Sequence, residues 1–270
     1  MPLNQRLLFT HPPALMKSIR SFKSFCLALC LILPGMASAQ ESVAELIKKG
    51  DVSDQKFCPT EALASYLPAE KLEPNNVGLL LSIARQYRHL MADAPELADK
   101  IKFANTGKTY AARAVTLSPK EAEAHLSVAL SYAKLVPFLD TKEKMEASRQ
   151  VKISVDQAIA LDPGKDLAWH VLGTWHQRLA DIGMVKRAMA KLVYGELPAA
   201  TNEEAVHCFQ KAIQLNPDRL IHHIELGRTY AQMGKETEAR QCINKGLAMP
   251  NTGKDDPEVK ARGQATLADL

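Results

Sequence analysis

Cysteine, glycine, aromatic side chains and long apolar runs are all scarce in this sequence, and each scarcity excludes a class of protein. Five cysteines occur in 270 residues, and only Cys58, Cys208 and Cys242 lie beyond residue 39. An odd count of three cannot build a disulfide framework. The 13 glycines form no phosphate-cradling loop, and there is no Gly-x-Ser-x-Gly elbow and no His-Glu-x-x-His pair. The longest apolar run, Phe25 to Leu33, is too short for a membrane span, which needs roughly 20 residues. Charge of one sign is lacking as well. The formal +4 comes from Arg6, Lys17, Arg20 and Lys23; without the first 39 residues, basic and acidic side chains number 30 each. A nucleic-acid partner therefore has no support in net charge.

The first 39 residues have the organisation of an export signal. Lys17, Arg20 and Lys23 precede the apolar run, Pro34 and Gly35 follow it, and Ala37-Ser38-Ala39 supplies small residues before Gln40. The expectation is a signal peptide over 1–39, with Met16 the better start, a repeat array over 40–255 and a capping helix over 256–270. The product would be exported, to the periplasm if the source is bacterial and into the secretory pathway otherwise. The alternative keeps this segment uncut as a membrane anchor, and that segment is then the chain's one link to a membrane.

What the chain does contain is a repeat. His223, Leu226, Gly227 and Tyr230 fall at positions 4, 7, 8 and 11 of one unit, with Gly234 at the turn and Ala239 and Ile243 at 20 and 24. Trp169, Leu172, Gly173 and His176 repeat the first set; Ala205, Phe209, Ala212 and Pro217 complete it after an insertion of 20 residues. His125, Val128, Ala129 and Tyr132 lead to Ala158 and Pro163; Leu80, Ile83, Ala84 and Tyr87 lead to Ala114 and Pro119. A fifth unit, Leu46 and Gly50 with Ala62, Tyr66, Ala69 and Pro74, is the weakest. Pro68 inside its second helix predicts a kink or break and a frayed end. Small residues at 8 and 20 let paired helices approach, and the proline near 32 stops the second helix. This pattern resembles the tetratricopeptide repeat, which implies an all-α solenoid of about five helix pairs. Met145 to Leu161 and Val185 to Tyr194 read as helical extensions, and Asp256 with Pro257 opens the final helix.

In such a stack, positions 2, 5, 9, 12 and 13 of the first helices face a concave groove. Those positions supply Arg85, Arg88, His89, Lys134, His170, Gln177, Arg178, Arg228 and Gln232. The groove so assembled is basic and suits an acidic or C-terminal carboxylate peptide, although the asparagine–lysine pattern of chaperone carboxylate clamps is absent. The other reading of these cations is that acids on neighbouring helices pair with them. The eight histidines show no metal spacing: His170 and His176 are six apart and diverge, as do His222 and His223. No cofactor, metal or catalytic set is expected. Cys208 and Cys242, at equivalent places in adjacent repeats, are the pair to test for a bridge.

Asp166-Leu-Ala-Trp-His-Val-Leu-Gly173, Lys186-Arg187-Ala188, Gly195 with Leu197-Pro198, Glu203-Glu204-Ala205 and Glu225-Leu226-Gly227, with Thr141 to Lys144, are similar to the regulator of microtubule dynamics family. That resemblance implies a protein-binding scaffold associated in animals with microtubules, spindle poles or organelle membranes. Two readings follow: an exported adaptor holding a protein or peptide, and a cytoskeleton-associated regulator.

Overall fold

A computed structural model describes residues 41–183 and 198–270. The export-signal reading of 1–39 and the helical extension from Val185 to Tyr194 lie outside the described residues. Eleven α-helices occur among the described residues, and no strand. They pair in chain order: α1 (Val43–Gln55) with α2 (Pro59–Leu72), α3 (Val77–Asp93) with α4 (Leu97–Leu117), α5 (Ala122–Leu135) with α6 (Thr141–Leu161). Then α7 (Asp166–Ala180) pairs with α8 (Asn202–Leu215) and α9 (Leu220–Gln232) with α10 (Glu236–Ala248), and α11 (Asp256–Ala268) packs on the last pair. This is the tetratricopeptide-repeat solenoid that the spacing predicts.

The pairs close where the pattern places small residues. A Cβ on Gly227 would stand 2.8 Å from the Ala239 carbonyl oxygen, and one on Gly173 3.0 Å from the Phe209 ring. Ala205 is fully buried beside Phe209 and Leu226. Three first helices, α5, α7 and α9, are also tied to the proline that ends the preceding unit. The position-4 side chains of His125, Trp169 and His223 donate N–H bonds to the carbonyls of Pro119, Pro163 and Pro217 at 2.9, 2.9 and 2.8 Å. A proline-ended turn leaves an unpaired carbonyl, and the repeat supplies the donor six residues later.

Two local expectations differ from the structure. The first unit is neither broken nor frayed: α2 runs through Pro68. Ser42 and Glu45 form a reciprocal capping box on α1, and the fully buried Tyr66 donates to Asp51 at 2.7 Å. Burial of Ala62, Leu63, Tyr66 and Ala69 on both sides of the proline offsets its missing hydrogen bond. At the other end, Asp256 does not cap its own helix. Its carboxylate turns back to accept the Thr252 and Gly253 amides, both at 2.7 Å, and fixes the loop before α11. Thr201 does cap α8, accepting from the Glu204 amide at 3.1 Å. Cys208 and Cys242 are free thiols, Cys208 buried and Cys242 half-buried.

Candidate functional site

The first helices α3, α5, α7 and α9, the extension of α6 and the loop before α11 enclose a cavity of about 1870 Å³. All nine side chains expected to face the groove line it: Arg85, Arg88 and His89 from α3, Lys134 from α5, His170, Gln177 and Arg178 from α7, and Arg228 and Gln232 from α9. The cavity is bridged rather than open. Lys134 Nζ reaches Asp255 at 2.6 Å and Lys254 Nζ reaches Asp93 at 2.9 Å, so the loop between α10 and α11 is clasped to α3 and α5.

Adjacent repeats are stitched along this wall by one recurring contact. Position 12 of a first helix bonds to position 10 of the next. Asp54 accepts from Gln86 at 2.8 Å, Arg88 donates to Ser131 at 3.3 Å, and Gln177 donates to Thr229 at 3.0 Å. Arg88 also donates to Ser127 at 2.9 Å and Gln177 to the Glu225 carbonyl at 3.2 Å, both at position 6. Where repeats three and four meet, Ala133 and Trp175 hold these positions and the polar link is replaced by apolar packing. Arg88 and Gln177 are consequently 9% and 3% exposed, wedged between helices rather than projecting freely.

Most of the remaining cations are matched within the chain. Arg85 pairs with Asp54 at 2.6 Å. The nearly buried Glu225 is gripped by Arg228 at 2.6 Å and Arg262 at 3.2 Å. Arg178 differs: it is exposed to the cavity and makes no ion pair or hydrogen bond among the described residues. Desolvation by the surrounding cavity walls lowers its pKa, opposed by Glu225. Gln232 is likewise exposed and without a hydrogen bond among the described residues. Burial holds the Arg88 guanidinium down to about 10 and His89 to about 4. The Nδ1 atom of His89 is buried and has no partner among the described residues.

One constellation escapes sequence reading. His222, which diverges from His223 around α9, meets His170 of the preceding repeat, their Nδ1 atoms 3.0 Å apart. Its Nε2 lies 3.0 Å from Asp166, which also receives Arg219 at 2.8 Å. Asp166, His170 and His222 sit at positions 1, 5 and 3 of their units. The signal that would find them is the lateral offset between repeats, which no single-helix spacing contains. Among the described residues no three His, Cys, Asp or Glu side chains are arranged to hold a metal ion.

Comparison with known proteins accords with this architecture. The family model described as regulator of microtubule dynamics protein 1-3 matches residues 41–270. Regulator of microtubule dynamics protein 2 of Rattus norvegicus is 26% identical over 195 residues, 72% of this chain and 47% of that protein. Regulator of microtubule dynamics protein 1 of Caenorhabditis elegans is 26% identical over 161 residues, 60% of this chain and 71% of that protein. The chain thus spans about half the length of the mammalian relatives it matches. Among solved structures, a thermophilic TPR protein of Thermus thermophilus superposes with a TM-score of 0.62 at 16% identity, covering 84% of this chain and all of that one.

Proposed function

Because this chain belongs to the regulator of microtubule dynamics family, whose model matches residues 41–270, we propose that it is a non-enzymatic scaffold that holds a protein or peptide in the chamber of its repeat array. The observation that carries this reading is the convergence of all nine groove-facing side chains on one cavity. Arg178 is the cation best placed to meet a partner, since Arg85 and Arg228 are already held by Asp54 and Glu225. Its planar fork suits a carboxylate or a peptide carbonyl.

The relatives' names favour the cytoskeletal reading of that scaffold, in which residues 1–39 stay attached as a membrane anchor. The export reading rests on the sequence of that segment alone. No helix of the described residues is long and apolar enough to cross a membrane, so either membrane contact would fall to the N-terminal segment. Mass spectrometry of the chain from its native cells separates the two: a mature N-terminus at Gln40 supports export, and an intact segment supports the anchored regulator.

The scaffold reading is tested by affinity capture on the immobilised full chain and on Arg178→Glu. Specific partners of the wild type are expected to be lost from the variant. Identical capture by both would reject the chamber as the binding surface.

A further inference from the structure

The chamber wall holds many cations, and several of them are already matched within the chain. Arg85, Lys134 and Lys254 each have their own carboxylate in Asp54, Asp255 and Asp93, at 2.6, 2.6 and 2.9 Å. Arg219 is held by Asp166, and Arg228 and Arg262 share Glu225. At these positions a partner's acids would have to displace internal carboxylates that already sit at contact distance. Between the charges the wall is apolar, with Met91, Leu130, Phe138, Val171 and Trp175 facing the cavity.

Lys100, Lys144 and Arg178 line the chamber without an ion pair among the described residues, but each is exposed or half-exposed and keeps its water; Arg88 is the buried one. It is 9% exposed, lines the chamber, and makes no ion pair among the described residues. Its two hydrogen bonds, to Ser127 and Ser131, both come from Nη1 and both end on neutral hydroxyls. Nε and Nη2 make no hydrogen bond among the described residues, yet neither is sealed from solvent. A buried guanidinium without a carboxylate is costly. The charge is also unnecessary for joining the repeats, because Gln177 fills the equivalent position and makes the equivalent bonds to Thr229 and the Glu225 carbonyl. A glutamine would serve the architecture at position 88; the arginine adds only a charge with an open hydrogen-bonding edge.

We infer that Arg88 is the seat of a single carboxylate carried by an otherwise apolar peptide segment that threads the chamber. This inference rests on the scaffold reading and narrows it: the partner sequence is mainly apolar with one acid, a side chain or a C-terminus, rather than polyacidic. The size of the cavity fits a segment of chain, being nearly twice the upper end of ordinary small-ligand pockets, which run to roughly 1,000 Å³. A peptide is favoured over an acyl chain by the polar atoms along the wall. Arg178 and Gln232 have no hydrogen bond among the described residues and would be stranded against hydrocarbon, whereas a peptide backbone offers carbonyls and amides to both.

The test is selection of a phage library of random dodecapeptides with free C-termini on the full chain, on Arg88→Gln and on Arg88→Lys. The wild type is expected to enrich apolar peptides bearing one Asp, Glu or terminal carboxylate. Arg88→Gln should bind those peptides at least ~10-fold more weakly, the loss of one charge-assisted contact, with Arg88→Lys between the two. Thermal melting separates a site from a structural strut: Arg88→Gln should melt unchanged or higher by roughly 1–4 °C, and a melting point lowered by several degrees would mark Arg88 as structural and overturn the inference. Enrichment of polyacidic peptides, or equal binding by Arg88→Gln, overturns the inference and leaves the scaffold reading standing. No enrichment on any protein removes both. Native mass spectrometry showing a stoichiometric acyl ligand on the wild type, absent from Arg88→Gln, would overturn it in favour of a lipid.

Discussion

The Nδ1 atoms of His170 and His222 stand 3.0 Å apart across two repeats, so one of them must carry the proton. Asp166 settles which. Its pKa is raised by burial but pulled below its usual value by the His222 hydrogen bond and by Arg219. An ionised carboxylate can only accept, so His222 Nε2 donates to it, at 3.0 Å. Neutral His222 then accepts at Nδ1, His170 donates from Nδ1, and His170 Nε2 is left as an acceptor. Nitrogen-detected NMR of the ring resonances should find His222 as the Nε2–H tautomer and His170 as the Nδ1–H tautomer. The opposite assignment would break the chain of bonds.

These imidazoles also set an acid limit. Burial lowers the pKa of His89 to about 4, holds His170 well below 6.5, and lowers His222 despite Asp166. The unfolded chain titrates these groups near 6.5 and so binds more protons than the native state below that pH. Stability is therefore full above about pH 6.5 and falls as pH drops from there toward 4. Unfolding free energies from urea titrations at pH 7.5 and pH 5 should differ by about 2 kcal/mol or less per histidine, and His89→Phe should flatten part of the slope. A midpoint independent of pH across this window would contradict the burial.

The clasp at the end of the array should be sensitive to salt. Burial raises the Asp255 pKa, but the charge and hydrogen bond of Lys134 bring it below 3.8. Exposed or half-exposed pairs of this kind contribute about 0.2–1 kcal/mol each. Asp255→Asn with Asp93→Asn is expected to lower global stability by no more than about 1–2 kcal/mol while markedly speeding amide exchange in residues 249–255. Raising salt should produce the same local opening in the wild type. Exchange unchanged by both treatments would mean that backbone contacts alone hold the loop.

Gly227 gives a test in which sign matters. Helix propensity by itself makes Gly→Ala in a helix stabilising by about 1 kcal/mol. Here a Cβ would meet Ile243 Cγ1 at 2.6 Å and the Ala239 carbonyl oxygen at 2.8 Å. Gly227→Ala should therefore destabilise, by about 1–3 kcal/mol, seen as a lower melting temperature. A rise would show that α9 and α10 do not approach as closely as the structure has them.

Thiol labelling should follow burial. Cys208 is buried and its pKa is pushed up to about 12, chiefly by burial and then by Glu204. Iodoacetamide at neutral pH is expected to modify half-buried Cys58 first and Cys208 last in the native protein, as read by peptide mass spectrometry. A Cys208–Cys242 cross-link after mild oxidation would contradict the separate packing of the two thiols, one against Val151 and Val155 and the other against Phe209.

The sequence by itself determined the helix pairs, their order and the face each first helix turns inward. Small residues at positions 8 and 20 and prolines at unit ends leave one way for two helices to close, which is a local matter. It also placed nine first-helix side chains on the chamber wall, because that depends on angular position around a helix; the parts of the wall supplied by α6 and the loop before α11 do not. Tertiary structure decided which of them stay available. Whether Arg85 is matched by Asp54 or Lys134 by Asp255 turns on residues 31 and 121 positions away, and such contacts are set by how elements of different repeats pack side by side. The same packing made Arg88 a buried cation without an ion pair, Arg178 an exposed one, and His170 the partner of His222. Periodicity within one helix cannot carry that information, since it arises where two different helices are brought side by side.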